Sequence, residues 1–284
     1  MGLNKKFDEA YIKSQYILNK ITSKLKKIYR QAYKKIKNEF EKYLKSLTDE
    51  DEKMKNAESS GKISQEQYQD WRAEKVMTGK EYQKILKKFL KILGNIDKNA
   101  SQIINDLMPE VYYINKNFTV RTVSEHYKMK EAELSGKDAV ADLLPKSRID
   151  IPKNQRWNRQ KLNSAVTLGI LNGESIDEIA ERVAKVAEMN RTTAMRTATT
   201  MVTAAQNAGR MDGYRQCQRM GMRLKHGWLA ATDGHTRDSH KAINGEIVEI
   251  GEAFSNGLEY PADPRGEPAE VYNCRCCTIA VFDD

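Results

Sequence analysis

Residues 232 to 246, TDGHTRDSHKAINGE, set two histidines, two aspartates and an arginine beside a glycine turn, and residues 272 to 277 read YNCRCC. These side chains admit three chemistries. A thiol, His240 and an acid such as Asp233 could act as nucleophile, base and orienting group, but a catalytic thiol also needs a depressed pKa and an open pocket. No signature of either is present, and no glycine-rich phosphate loop or nuclease motif accompanies them. If NCRCC is extended, Cys274 and Cys276 project to one side and Cys277 to the other. Cys274, Cys276 and His240 would then offer three of the four ligands that zinc takes, with His235 or a carboxylate as the fourth. The third reading is structural and needs no cofactor. Asp233 and Thr236 close the turn before RDSHKA, Arg237 and Arg275 pair with Asp233, Asp238 or Asp263, and the thiols and a hydrogen-bonded His240 fill a small core. The structural reading is the favoured one, with zinc as the alternative.

The elements that must position these residues follow from periodicity. The chain has 284 residues, 39% hydrophobic and 31% charged, with only 6 prolines, which suits a helix-rich fold with long solvated faces. The four cysteines, three of them within four residues, fit poorly with a disulfide framework and are expected to be reduced. No run approaches the roughly 18 apolar residues of a membrane span, and no apolar leader is seen at MGLNKKFDEAY, so a cytosol-like compartment is expected.

Between residues 5 and 47 apolar side chains recur at helical spacing, with Ser14 as the one polar interruption, which predicts one long amphipathic helix. The polar run SLTDEDEKMKNAESSGK should end it. Helices are expected next at about 64 to 77, over TGKEYQKILKKFLKIL from a Thr cap, and over NASQIINDLMPEVYYINKNF. Prolines and a composition shift place a domain seam at 135 to 156. Beyond it, NRQKLNSAVTLGILNG ends on Gly173, SIDEIAERVAKVAEM opens on a capping box of Ser175 and Glu178, and the Ala- and Thr-rich stretch from 190 to 221 forms a long helix. The pair around NGES invites a helix-turn-helix reading, but some thirty residues threaded with Ala and Thr suit close helix packing better than a short recognition helix. After Gly221, MRLKHGWLAA, GEIVEIGEAF and EVYNCRCCTIAVF read as strands. The expectation is a mainly α protein: an elongated, basic helical region over 1–150, a helical body over 151–220, and a small β-containing (α+β) module over 221–284.

The net charge of +9 is unevenly spread. Nine basic residues and no acid lie between Ala10 and Asn38, whereas from Gly221 onward six basic residues face eleven acidic ones. The basic stretch suits a polyanion, and Lys24, Lys26, Lys27, Arg30, Lys34, Lys35 and Lys37 are the candidates for sequence-independent contact with nucleic-acid phosphates.

From about residue 155 onward the chain resembles the minor head proteins of tailed bacteriophages that carry a phage Mu F-like head morphogenesis domain. The resemblance runs through LGILNGESIDEIAERV, AMRTATTMVTAAQNAGRMDGY, HGWLAATDGHTRDSHKAINGEIV, YPADPRGEP and VYNCRCCTIAVF. Its motif residues are Trp228, Asp233, Thr236, Arg237, His240, Gly245, Pro261, Asp263, Pro264, Asn273, Cys274, Arg275 and Cys276. Two positions depart from the pattern: Ala198 follows Arg196 and Thr197 where the family has an acid, and His235 stands where it has an arginine. The resemblance implies a non-enzymatic protein inside the virion head, associated with the portal vertex and present in the host cytoplasm during assembly. Implied partners are the portal protein, viral DNA, and scaffold or major capsid protein. The alternative is a DNA-processing enzyme, or a zinc-dependent nucleic-acid-binding protein, built on the His/Cys cluster.

Overall fold

The computed structural model describes residues 7–128 and 155–282, so the seam expected at 135–156 lies, up to residue 154, outside the described residues. The protein is mainly helical with one small antiparallel sheet. In chain order the elements are α1 Glu9–Lys45, α2 Thr48–Ser59, α3 Gln65–Thr78, α4 Lys80–His126, α5 Gln155–Leu171, α6 Ile176–Arg219, β1 Leu224–Leu229, α7 Asp238–Ala242, β2 Ile247–Glu249, α8 Pro268–Val271 and β3 Cys277–Phe282. Among the described residues no helix is long and apolar enough to cross a membrane.

The long α1 buries the predicted face, including Ile21, Leu25, Ile36 and Phe40. Ser14, the polar interruption, is fully buried: its hydroxyl donates to the Ala10 carbonyl at 2.8 Å and accepts from Asn115 Nδ2 at 2.8 Å. A buried hydroxyl with both roles filled loses little relative to water.

Three local expectations need correction, and one element was not foreseen. The polar run ends α1 as expected, and most of it forms a separate helix not foreseen, α2, which buries no residue. Asp49, Glu50 and Asp51 in its first turn complement the helix dipole. Thr78 is the last residue of α3 rather than a cap, and Gly79 makes the break. The two helices expected over 78–118 are one, α4, running through Gly94 and Pro109. Buried Leu93, Ala100, Ile104, Met108 and Val111 continue one apolar face across both residues; their packing outweighs the cost of an interior proline, about 3 kcal/mol. Likewise α6 continues through Asn190, expected to open a new helix. Its side-chain amide lies 3.4 Å from both Asp97 Oδ2 and Asn158 Oδ1 instead of capping.

Two compact units draw on alternating stretches: Met1–Ser23, Gln102–Ile149 and Met195–Asp284 form one, Lys24–Ser101 and Asp150–Ala194 the other. The second unit packs Ile36, Phe40, Leu86, Phe89, Leu93, Val166, Ile179, Val183 and Ala187 into one core. Within it Tyr29 donates to Asp97 Oδ1 at 2.8 Å, and burial raises the Asp97 pKa against the pull of its Tyr29 and Asn190 hydrogen bonds. The turn from α5 to α6 forms as predicted. Gly173 takes φ +65°, and the Glu174 amide closes back on the Gly169 carbonyl at 2.9 Å. Ser175 and Glu178 complete the capping box at 2.7 and 3.3 Å.

In the first unit α4 and α6 approach closely. A Cβ on Gly209 would lie 2.4 Å from the Tyr112 carbonyl oxygen, and one on Gly213 would lie 2.8 Å from Thr119. This is the close packing that the Ala- and Thr-rich composition predicted. The sheet has the order β2-β1-β3, both pairs antiparallel, with Gly227 opposite Ile247 and Ile279, and Leu229 opposite Cys277. Trp228, fully buried on β1, centres a core with Phe254, Leu258, Val271, Cys274 and Cys276.

Candidate metal centre

The His/Cys cluster is assembled from two short segments held on the sheet and α6. His240 sits in the five-residue α7, and Cys274 and Cys276 lie between α8 and β3. All three are at most 2% exposed, and one ligand atom from each lies within 4.8 Å of the others. His240 Nδ1 is 3.5 Å from Cys276 Sγ and 3.7 Å from Cys274 Sγ. The other ring nitrogen, Nε2, is 2.8 Å from Glu270 Oε2, though not in line for a good hydrogen bond. The Ser239 hydroxyl holds the same carboxylate oxygen at 2.9 Å. The edge of Trp228 packs against the imidazole, ring centres 5.0 Å apart.

The thiols differ in character. Cys274 and Cys276 act on one another in opposite directions: the neighbouring Cys274 lowers the pKa of Cys276 against the effect of burial, and Cys276 together with burial raises that of Cys274. Cys277, on the other side as alternation predicted, is pushed up to about 12 by burial, and Cys217 to about 11. A thiol so buried is a packing residue.

The motif residues around the cluster act as its frame. Asp233 Oδ1 accepts from the His235 amide at 3.0 Å, the Thr236 hydroxyl at 3.1 Å and Arg275 Nη2 at 3.0 Å. Burial works against this charge, yet these donors hold the carboxyl below its usual range. Arg237 donates to the Tyr272 carbonyl rather than to an acid, and Asp263 is taken by Arg265 at 2.7 Å rather than by Arg237 or Arg275. Pro264 beside it is exposed. Gly245 has φ +88°, and its amide donates to the Trp228 carbonyl at 2.8 Å. Asn273 has φ +58°, a left-handed turn that asparagine tolerates. Its amide donates to Thr200 Oγ1 at 2.8 Å.

Sequence reasoning missed the residues of α6 that hold this segment. Thr203 Oγ1 donates to the Cys274 carbonyl at 2.7 Å. Asn207 Nδ2 donates to the carbonyls of Pro261 and Cys276 at 3.1 and 3.2 Å, while Asn207 Oδ1 accepts from the Thr278 amide at 2.8 Å. Thr200, Thr203 and Asn207 are spaced three and four apart, one face of one helix, a signal that was readable. Glu270 was missed because α8 is too short to show a period. Ala198, where the family has an acid, is buried. His235 is exposed and not drawn into the cluster.

The basic candidates lie on α1. Lys24, Lys26, Lys27, Arg30, Lys34 and Lys35 are exposed. Lys26, Lys27, Arg30 and Lys34 line, with Gln31, an open depression of about 480 Å³. Lys37 differs: its ammonium is 3.1 Å from Glu181 and 3.8 Å from Glu41, and these acids raise its pKa.

A helical scaffold whose Thr/Asn face pins a three-stranded module around a buried His/Cys cluster is the architecture carried by residues 160–279, and that stretch matches the family described as Phage Mu protein F like protein. This part of the chain is similar to phage Mu protein F-like proteins, and the chain is similar to a phage minor head protein. It is 26% identical to minor head protein GP7 of Bacillus phage SPP1, over 72% of this chain and 70% of GP7. It is also 26% identical to the uncharacterized protein YqbB of Bacillus subtilis, over 72% of this chain and 61% of that one. Over 126 residues, 44% of this chain, it is 32% identical to an Enterococcus faecalis protein named NAD(+)--arginine ADP-ribosyltransferase EFV, of which it spans only 26%. No solved structure gives a significant match.

Proposed function

We propose that the chain is a minor head protein of a tailed phage or prophage. It acts at the portal vertex inside the head, in head morphogenesis and in packaging or delivery of viral DNA, without catalysis of its own. The observation that carries this reading is the similarity to GP7, which extends over 70% of that minor head protein and so beyond the Mu F-like domain alone. The Enterococcus match is about as long as that domain and leaves most of the named transferase uncovered, which supports a shared head-type domain rather than a shared transferase. Mass spectrometry and cross-linking of purified particles test the reading. The expected result is this chain inside DNA-containing heads, cross-linked to the portal protein; particles that assemble and eject normally without it would overturn it.

The DNA role falls to the exposed face of α1. Lys26, Arg30 and Lys34 recur every four residues beside Lys27 and so can follow one phosphate strand, with Lys24 and Lys35 at the edge. Four to six contacts, each releasing about 0.9 counterion, give a log-log salt slope of about −4 to −5. Changing Lys26, Lys27, Arg30 and Lys34 to glutamine should flatten the slope by roughly 3 to 4. Lys37→Gln, already paired with Glu181, should change it by less than one. Equal slopes in wild type and the fourfold variant would remove DNA from this face.

A further inference from the structure

We infer that His240, Cys274 and Cys276 bind one zinc ion as a structural staple, with Glu270 as the positioning residue for His240. This does not rest on the head-protein reading. Two sulfurs stand 3.5 and 3.7 Å from the same imidazole nitrogen, and that nitrogen has one lone pair or one hydrogen to offer. A hydrogen bond from or to that nitrogen can serve only one sulfur at a time, the other turning to its neighbouring thiol or amide, whereas one metal ion serves all three atoms. The spacing agrees. Zinc bonds of about 2.3 Å to sulfur and 2.0–2.1 Å to nitrogen, at the tetrahedral angle, place sulfur and nitrogen about 3.6 Å apart.

The surroundings are those of a metal-ligating histidine. The carboxylate of Glu270, with Oε2 2.8 Å from Nε2 and itself held by Ser239, sets negative charge beside Nε2, which favours the tautomer protonated there and leaves the Nδ1 lone pair for the sulfurs. The Cys276 amide points at Cys274 Sγ at 3.5 Å, and such N–H donors favour thiolate ligands. Trp228, Phe254, Ala262 and Val271 wall the site with apolar atoms. Among the described residues, His240, Cys274 and Cys276 are the ligand group. The ion would join α7 to the segment between α8 and β3, in addition to the Asp233–Arg275 pair at 3.0 Å.

The test uses the full chain, produced in zinc-supplemented cells and purified without chelator, with metal measured by elemental analysis and by cobalt titration of the stripped protein. The expected result is about one zinc per chain and a cobalt spectrum with thiolate charge-transfer bands. Both should be lost in Cys276→Ser and in His240→Ala and retained in Cys217→Ser. Glu270→Gln should bind cobalt about 10- to 100-fold more weakly, while retaining the same thiolate bands. Should the ligand variants fail to fold, wild type alone decides: chelation should release zinc, expose two thiols to a colorimetric reagent and lower the melting temperature. Folded protein that holds no zinc and takes up no cobalt would overturn the inference, as would zinc retained at full level in the Cys274→Ser/Cys276→Ser double variant.

Discussion

Asp8 precedes α1 and meets Arg210, 202 residues later on α6, and removing it should be among the most destabilising single changes in the chain. Arg210 Nη1 and Nη2 reach the two carboxylate oxygens at 2.8 and 2.7 Å, its Nε donates to Asn115 Oδ1 at 3.0 Å, and Nη1 also reaches the Thr278 carbonyl at 3.1 Å. The Arg210 side chain is 2% exposed and that of Asp8 24%, so the two partners are not equivalent. Asp8→Ala leaves a guanidinium in the core with neutral acceptors only, and stranding one member of a buried pair costs about 3–5 kcal/mol. A stranded Asp8 can turn partly to water, so Arg210→Met should cost less than that range for the charge alone. It also strands the Asn115 oxygen, at about 1 kcal/mol or more. Because the two variants break one interaction, the double variant should be less destabilised than their sum, by about 1–3 kcal/mol. Urea unfolding of wild type, both singles and the double measures this directly. A cost below about 1 kcal/mol for Asp8→Ala, or additive singles, would refute the reasoning.

Two contrasts of the same kind follow. Gly209→Ala should destabilise by about 1–3 kcal/mol, because its Cβ would meet the Tyr112 carbonyl, part of the backbone, at 2.4 Å; Gly94→Ala, with nothing within 4 Å of the new atom, should stabilise by about 0.5–1 kcal/mol. Thermal melts that shift the same way in both would contradict the packing of α4 on α6. His226, fully buried with Nδ1 3.0 Å from Thr278 Oγ1, has its pKa lowered to about 4 by burial, against the pull of Glu259 and the Glu249 backbone and with a smaller lowering from Arg215; Tyr214 and Phe254 pack on its ring. The folded pKa lies below the unfolded value near 6.5, so the unfolded state binds the proton first. Stability from this residue is complete above about pH 6.5 and declines toward pH 4, by roughly 3 kcal/mol. His226→Gln should flatten the fall in unfolding free energy between pH 7 and 4.5, and an unchanged slope would exclude His226 as its source.

What could be read from the sequence was whatever depends on neighbours along the chain. The buried face of α1, the Ser175–Glu178 capping box, the left-handed Gly173 and the three strands follow from spacing and turn residues. The convergence of His240 with Cys274 and Cys276 was legible too, from extended-chain alternation. What stayed hidden depends on partners far away in sequence. Asn190 reads as a helix start until Asp97 and Asn158 stand beside it, and Ser14 reads as a flaw until Asn115 does. Lys37 looks like its basic neighbours until Glu181 faces it. Gly94 falls between the two helices expected from periodicity, whereas the buried face of α4 extends on both sides of it. The α2 run lacks any apolar stripe, so periodicity had nothing to detect.

The alternating make-up of the two units bears on when the protein can fold. One unit needs residues from Met1–Ser23, Gln102–Ile149 and Met195–Asp284, so the start of α1 lacks part of its partners until α6 and β3 are made. At about 5–20 residues per second, the ribosome holds the first helix without them for roughly ten seconds or more. Ala10, Ile17 and Ile21, buried in the finished protein, are apolar surface in the nascent one, and they become safe from aggregation only after Arg210 and β3 have emerged. Folding of this unit therefore waits for residues near Arg210 and β3. A truncation that removes β3 would act on the first helix as surely as on the last strand.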